Sequence, residues 1–230
     1  MLNTLRQPRA AWFIALLALW GAPAFAKEGP PSDSRRWENE IKAFEKADKS
    51  TPPPSSAVLF IGSSTIRMWK TLAADFSEQK VINRGFGGCQ IEDCTYFVDR
   101  IVAPYSPRLV IIRAGGNDIN AGKSPERVFE DFKAFVAAVR GKLPKVRIAY
   151  MTINATPSRW AKVEYEKKAN RLIQEYIEAH PALDLQYIDT FDATMGPDGR
   201  PREELFLKDR LHFNADGYKI LADRVRPFVK

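Results

Sequence analysis

The sequence predicts an α/β chain arranged in three layers, α/β/α, around a doubly wound five-stranded parallel sheet. Short apolar runs alternate with stretches of helical periodicity from residue 57 to the end, and strand-helix alternation is the signature of a parallel sheet covered on both faces. The 230 residues, 45% of them hydrophobic, are enough to bury one core, and neither an internal repeat nor a second core is visible.

The elements follow in chain order. In residues 1–26, Arg6 and Arg9 precede an apolar stretch from Ala10 to Ala22, and Ala24-Phe25-Ala26 offers the small residues of a cleavage site. This segment is expected to be a signal peptide, which predicts an exported protein, periplasmic or secreted, without integral membrane association after cleavage. Residues 27–56 are a leader carrying one amphipathic helix: Trp37, Ile41 and Phe44 recur at i, i+4, i+7 before Thr51-Pro-Pro-Pro breaks the pattern. The remainder, 57–230, supplies strands at Ala57 to Ile61, Lys80 to Asn83, Arg108 to Arg113, Val146 to Met151 and Leu185 to Ile188. Between them lie helices near Ile66 to Ala74, Ile91 to Val102, Pro125 to Arg140 and Ser158 to Ala179, with a last one from about Ala215 to Phe228.

In such a sheet every loop leaving a strand emerges on one edge, where sites form. Ser63 and Ser64 follow the first strand, and Asn83-Arg-Gly-Phe-Gly-Gly-Cys-Gln90 follows the second. Ala114-Gly-Gly-Asn-Asp118 follows the third, and Lys208-Asp-Arg-Leu-His-Phe-Asn214 comes after the fifth. Together they offer a hydroxyl, backbone N–H groups, a side-chain amide and an acid–imidazole pair, the parts of an acyl-transfer site. A serine attacks only if a base takes its proton, the imidazole needs an acceptor to hold its tautomer, and the tetrahedral intermediate needs donors for its oxyanion.

The chain has two histidines. His180 stands before Pro181 at a helix end, where a capping or surface role is expected. His212 follows Asp209 by three residues, a spacing that lets a turn join carboxylate and ring; the stretch reads equally as a turn ahead of the N-cap Asn214. Residues alone likewise leave the two serines open between nucleophile and helix cap.

Four separated blocks, in order from Val58 to His212, resemble the SGNH, or GDSL-type, serine hydrolases. Gly62-Ser-Ser64 matches the family's Gly-Asp-Ser, Gly115-Gly-Asn-Asp118 matches Gly-x-Asn-Asp, and Asp209 to His212 matches Asp-x-x-His. The resemblance implies the flavodoxin-like SGNH hydrolase fold, with Ser64 as nucleophile, His212 as base and Asp209 as its partner. It implies an oxyanion hole made by the N–H groups of Ser64 and Gly88 and the amide of Asn117. Ser63 stands where the family has aspartate and Cys89 where it has aspartate after the second-block glycine; Ser63 is expected to support the turn or cap the following helix. The implied activity is cleavage of carboxylic esters, acyl or acetyl, on a small-molecule or glycan substrate. An acyltransferase using the same triad, or a binding module on the same fold, are the alternatives.

Other chemistries find no pattern. There is no Gly-x-Ser-x-Gly elbow, no dinucleotide fingerprint and no zinc spacing, so neither cofactor nor metal is expected. Removing residues 1–26 takes two arginines and no acid, which lowers the net charge from +7 to +5. Without an aromatic-studded basic patch that excess gives no case for nucleic acid. Cys89 and Cys94 are the only cysteines, five apart; on one helix they would point about 140° apart, so a disulfide requires Cys89 to precede the helix.

Overall fold

Val58-Leu-Phe-Ile is apolar at every position, and a strand of that kind must be covered on both faces. In the computed structural model, which describes residues 33–230, it forms β1, Val58–Gly62, with every residue buried. The expected signal peptide, residues 1–26, and residues 27–32 lie outside the described residues. The other strands are β2 (Val81–Gly85), β3 (Leu109–Arg113), β4 (Arg147–Met151) and β5 (Leu185–Ile188). All pairs are parallel and the order is β2-β1-β3-β4-β5, the doubly wound sheet expected. In register, Gly62 lies beside both Gly85 and Arg113, so β1, β2 and β3 end level and their loops leave together.

Alternate residues of β1 feed opposite cores. Leu59 and Ile61 join the cluster under α1 (Glu38–Ser50), α4 (Ile91–Tyr96), α5 (Val98–Ile101), α7 (Pro125–Lys142) and α8 (Val163–Ala179). Val58 and Phe60 join the cluster under α2 (Ser64–Arg67), α3 (Leu72–Asp75) and α9 (Ala215–Val225). Where the glycines of 114–118 predict a loop, a short helix, α6 (Gly116–Asn120), stands at the end of β3.

Two expected helices are broken. The stretch from Ile66 to Ala74 forms only α2 and α3, because the chain between them turns the Trp69 ring into the core against Phe60 and Phe76. Trp69 Nε1 donates to Asp75 Oδ2 at 2.6 Å, which satisfies the buried indole. Ile91 to Val102 splits at Phe97, whose ring is fully buried edge-on to Phe86. The segment before α8 is a 3₁₀ turn, Pro157–Lys162, and α9 tightens into another at Arg226–Phe228 around Pro227.

The amphipathic stripe of the leader packs as its spacing predicts. Ile41 is fully buried in the first cluster, with Trp37 and Phe44 against it. Arg100 of α5 binds Glu38 and Glu45 of α1, both at 2.7 Å.

Candidate active site

At the end of β1, Gly62 has φ 148°, and a Cβ there would lie 2.0 Å from the Arg113 carbonyl oxygen. Only glycine permits that approach, which turns the chain at the sheet edge and starts α2 at Ser64. Ser63 N–H donates to Arg113 O at 3.1 Å, and Ser63 O accepts from Ile66 N and Arg67 N. Ser63 therefore holds the N-cap position through its main chain; its hydroxyl makes no capping bond, because the turn itself supplies the acceptor.

Asp209 and His212 come together in a closed turn. Phe206 and Phe213 form an antiparallel bridge with rings stacked at 4.8 Å, and Leu207 N–H donates to His212 O at 2.7 Å. Inside that turn Asp209 Oδ1 accepts from the N–H groups of Leu211 and His212, each at 3.0 Å. Its Oδ2 lies 2.7 Å from His212 Nδ1, and His212 Nε2 lies 3.0 Å from Ser64 Oγ. The main-chain N–H of His212, then its ring, then the N–H of Leu211 hold the Asp209 carboxyl down at about 2. Asn214 ends the turn as N-cap of α9, accepting from Asp216 N and Gly217 N, so the turn role and the imidazole placement coexist.

Asn117 is on α6 and its amide is held at both ends. Oδ1 accepts from Arg159 Nη1 at 3.1 Å and Nδ2 donates to the Cys89 carbonyl at 3.0 Å. Gly88, just before Cys89, has φ 83°, and a Cβ there would sit 3.3 Å from the Trp37 ring. The second-block loop is thus tied to Asn117 through Cys89, while Gly88, like His212 and Asp209, is not in the wall of the cavity that Ser64 and Asn117 share. Asp118 organises the loops: its Oδ1 accepts from Ile91 N at 3.2 Å and Lys123 Nζ at 3.1 Å, and burial pushes its carboxyl up to about 6.

That cavity, about 30 Å³, also presents Arg113, Thr156, Arg159 and Glu166. None of these four lies in the sequence blocks that point to the site. A signal for Glu166 existed: it sits on the same buried stripe of α8 as Val163, Ala169, Asn170 and Ile173, where a charge is out of pattern. Arg113 likewise ends an otherwise apolar strand. Beside the site lies an open cleft of about 660 Å³ lined by Trp160, Arg200, Arg202 and Arg210, with the Arg200 guanidinium 4.6 Å over the Trp160 ring. Trp69 and Phe86 belong to the core.

The remaining residues singled out by the sequence lie elsewhere. His180 caps α8, its Nδ1–H donating to Tyr176 O at 2.7 Å, on the surface. Cys89 precedes α4, which places its Sγ 3.8 Å from that of Cys94; both are free buried thiols, and burial pushes the Cys89 thiol up.

A family model described as the GDSL-like lipase/acylhydrolase family matches residues 60–220. No curated protein matches the chain. Among solved structures, a candidate acylhydrolase from Bacteroides fragilis NCTC 9343 is similar at 18% identity and TM-score 0.69, over 88% of this chain and 98% of that one. A GDSL-like lipase from Bacteroides thetaiotaomicron VPI-5482 aligns at 18% identity and TM-score 0.66, over 86% and 97%. A catalytic mutant of an acetylxylan esterase from Geobacillus stearothermophilus aligns at 18% identity and TM-score 0.57, over 75% and 94%.

Proposed function

Because the chain belongs to the GDSL-like lipase/acylhydrolase family, we propose that it hydrolyses carboxylic esters, acyl or acetyl, through Ser64, His212 and Asp209. The observation that carries this reading is the unbroken line of contacts, Ser64 Oγ to His212 Nε2 at 3.0 Å and His212 Nδ1 to Asp209 Oδ2 at 2.7 Å. These distances are within reach for general-base activation of a serine.

In the cycle, neutral His212 takes the proton of Ser64 as Oγ attacks the acyl carbonyl. Asp209, ionised, accepts from Nδ1–H and stabilises the imidazolium that forms. The Asn117 amide and the N–H groups of Ser64 and Gly88 receive the oxyanion, Asn117 exchanging its ground-state bond to Cys89 O for the intermediate. The imidazolium then protonates the leaving alcohol, and water, activated by the same base, releases the acid and restores Ser64. The open cleft around Trp160 accommodates a bulky alcohol such as a glycan, its aromatic face and mixed charges suiting a polar ring.

The segment at residues 1–26 supports an exported enzyme. Among the described residues no helix is long and apolar enough to cross a membrane. The test is hydrolysis by purified mature protein of esters of graded acyl length and of acetylated glycans. Ser64→Ala and His212→Ala are expected to lose nearly all turnover with circular dichroism unchanged; wild-type-like cleavage by Ser64→Ala would remove the assignment.

A further inference from the structure

Three residues in the wall of the small cavity beside Ser64 each carry a buried polar atom without a hydrogen-bond partner: Arg113 Nε, Thr156 Oγ1 and Glu166 Oε2. Arg113 is 5% exposed, Thr156 6% and Glu166 1%, so bulk water does not satisfy them. Leaving three such groups together is expensive, since each orphaned buried donor or acceptor costs on the order of 1–3 kcal/mol. The three residues come from separate elements, the end of β3, the loop after β4 and α8, and all of them line one small space together with Ser64. Arg113 Nη2 is already committed to Asn154 Oδ1 at 3.3 Å, and Arg159 Nη1 to Gly116 O and Asn117 Oδ1, so these contacts hold the cationic groups in place.

We propose that Arg113, Thr156 and Glu166 form a polar acyl subsite that selects a short acyl group ending in a hydroxyl, of the hydroxyacetyl type, over aliphatic acyl chains. A hydroxyl fits this donor and acceptor set: its oxygen accepts from Arg113 Nε–H while its hydrogen goes to Glu166 Oε2, and Thr156 Oγ1 completes the contacts. The cavity of about 30 Å³ is on the scale of a few waters, which favours a short acyl group. A methyl or longer alkyl group placed there leaves the three polar atoms unpaired, which is the way a site built for a hydroxyl rejects the analogue lacking it. The larger open cleft then serves the alcohol side of the ester. Burial raises the Glu166 carboxyl to about 7, with Arg113 and Arg159 opposing the shift, so near neutral pH it is present both as acceptor and as donor.

The inference rests on the ester-hydrolase reading, and the two fail differently. Hydroxyacetyl, acetyl and butyryl esters of one alcohol are compared by kcat/KM in wild type, Glu166→Leu and Thr156→Val, with Ser64→Ala as blank. The expected result is a hydroxyacetyl-to-acetyl ratio of roughly 10 or more in wild type, butyryl lower still, and a ratio falling towards 1 in Thr156→Val and in Glu166→Leu if it folds. A wild-type ratio near 1, or butyryl preferred, means the cavity holds ordered water only and overturns the subsite while the hydrolase stands. An unchanged ratio in Thr156→Val, whose isosteric side chain keeps the fold, overturns it as well. Absence of Ser64-dependent cleavage of all three esters overturns the hydrolase reading itself.

Discussion

Asn117 shows how one side chain can be both set and spare. Arg159 fixes its carbonyl end, and its N–H end rests on the Cys89 carbonyl, a partner that an oxyanion can replace without moving the residue. A donor held in advance is worth most when charge develops, so Asn117→Ala is expected to lower kcat by about 10²–10³-fold; a loss below threefold in steady-state assays would take Asn117 out of the oxyanion hole. Asp209 has the complementary role. Its carboxyl sits at about 2 against an ordinary 3.8, so its ionised form is present above the ordinary value and is lost only as pH falls through about 2. Asp209→Asn is therefore expected to cut kcat on the order of 10⁴-fold across the neutral range, and an acid limb in the wild-type rate profile is not expected to come from Asp209. Near-wild-type rates for Asp209→Asn at pH 7 would contradict that role. At this scale the sequence was readable where chemistry is scarce. With two histidines in the chain, the geometry had few ways to build a base, and the Asp-x-x-His spacing survived as a real 2.7 Å contact. Thr156 was not legible, because a threonine in a loop is common and only the fold brings it beside Ser64.

Elements carry the next level of consequence. In α8, Glu166 lies on the buried stripe with Val163, Ala169 and Ile173, and desolvation raises its carboxyl from 4.5 to about 7. A raised acid favours the folded state in its protonated form, so that contribution is complete below about 4.5 and is lost as pH rises through about 7, a change of roughly 3 kcal/mol at most. Glu166→Gln removes the titration, and its Tm relative to wild type is expected to rise between pH 4.5 and pH 8; a difference that stays flat with pH would contradict the assignment. The strands were legible because runs such as Leu109-Val-Ile-Ile carry their burial in composition. Helix continuity was not, since Trp69 and Phe97 look like ordinary helix residues until the core demands their rings and breaks the chain there. Short α6 was hidden by its glycines, which read as loop.

At the scale of the molecule, the level ends of β1, β2 and β3 deliver three loops to one edge, and a turn further along the chain after β5 brings His212 to meet Ser64 there. The leader helix closes the opposite side of that loop cluster: Trp37 packs edge-on to Phe86 and against Gly88, and Ile41 is buried without exposure. Ile41→Ala is expected to cost about 2–5 kcal/mol, read as a lower urea midpoint; a change under 0.5 kcal/mol would mean the helix is an appendage. Fold class followed from alternation, since helices between parallel strands must cover both faces of the sheet, whereas the order β2-β1-β3-β4-β5 is carried by the three-dimensional structure alone. Ser64 is expected to be the nucleophile, activated by His212 as its base. Peptide mass spectrometry after fluorophosphonate treatment reads that reactivity: one adduct is expected, on Ser64, abolished or slowed at least a hundredfold in His212→Ala. Labelling of another residue, or equal labelling of Ser64 without His212, would contradict it.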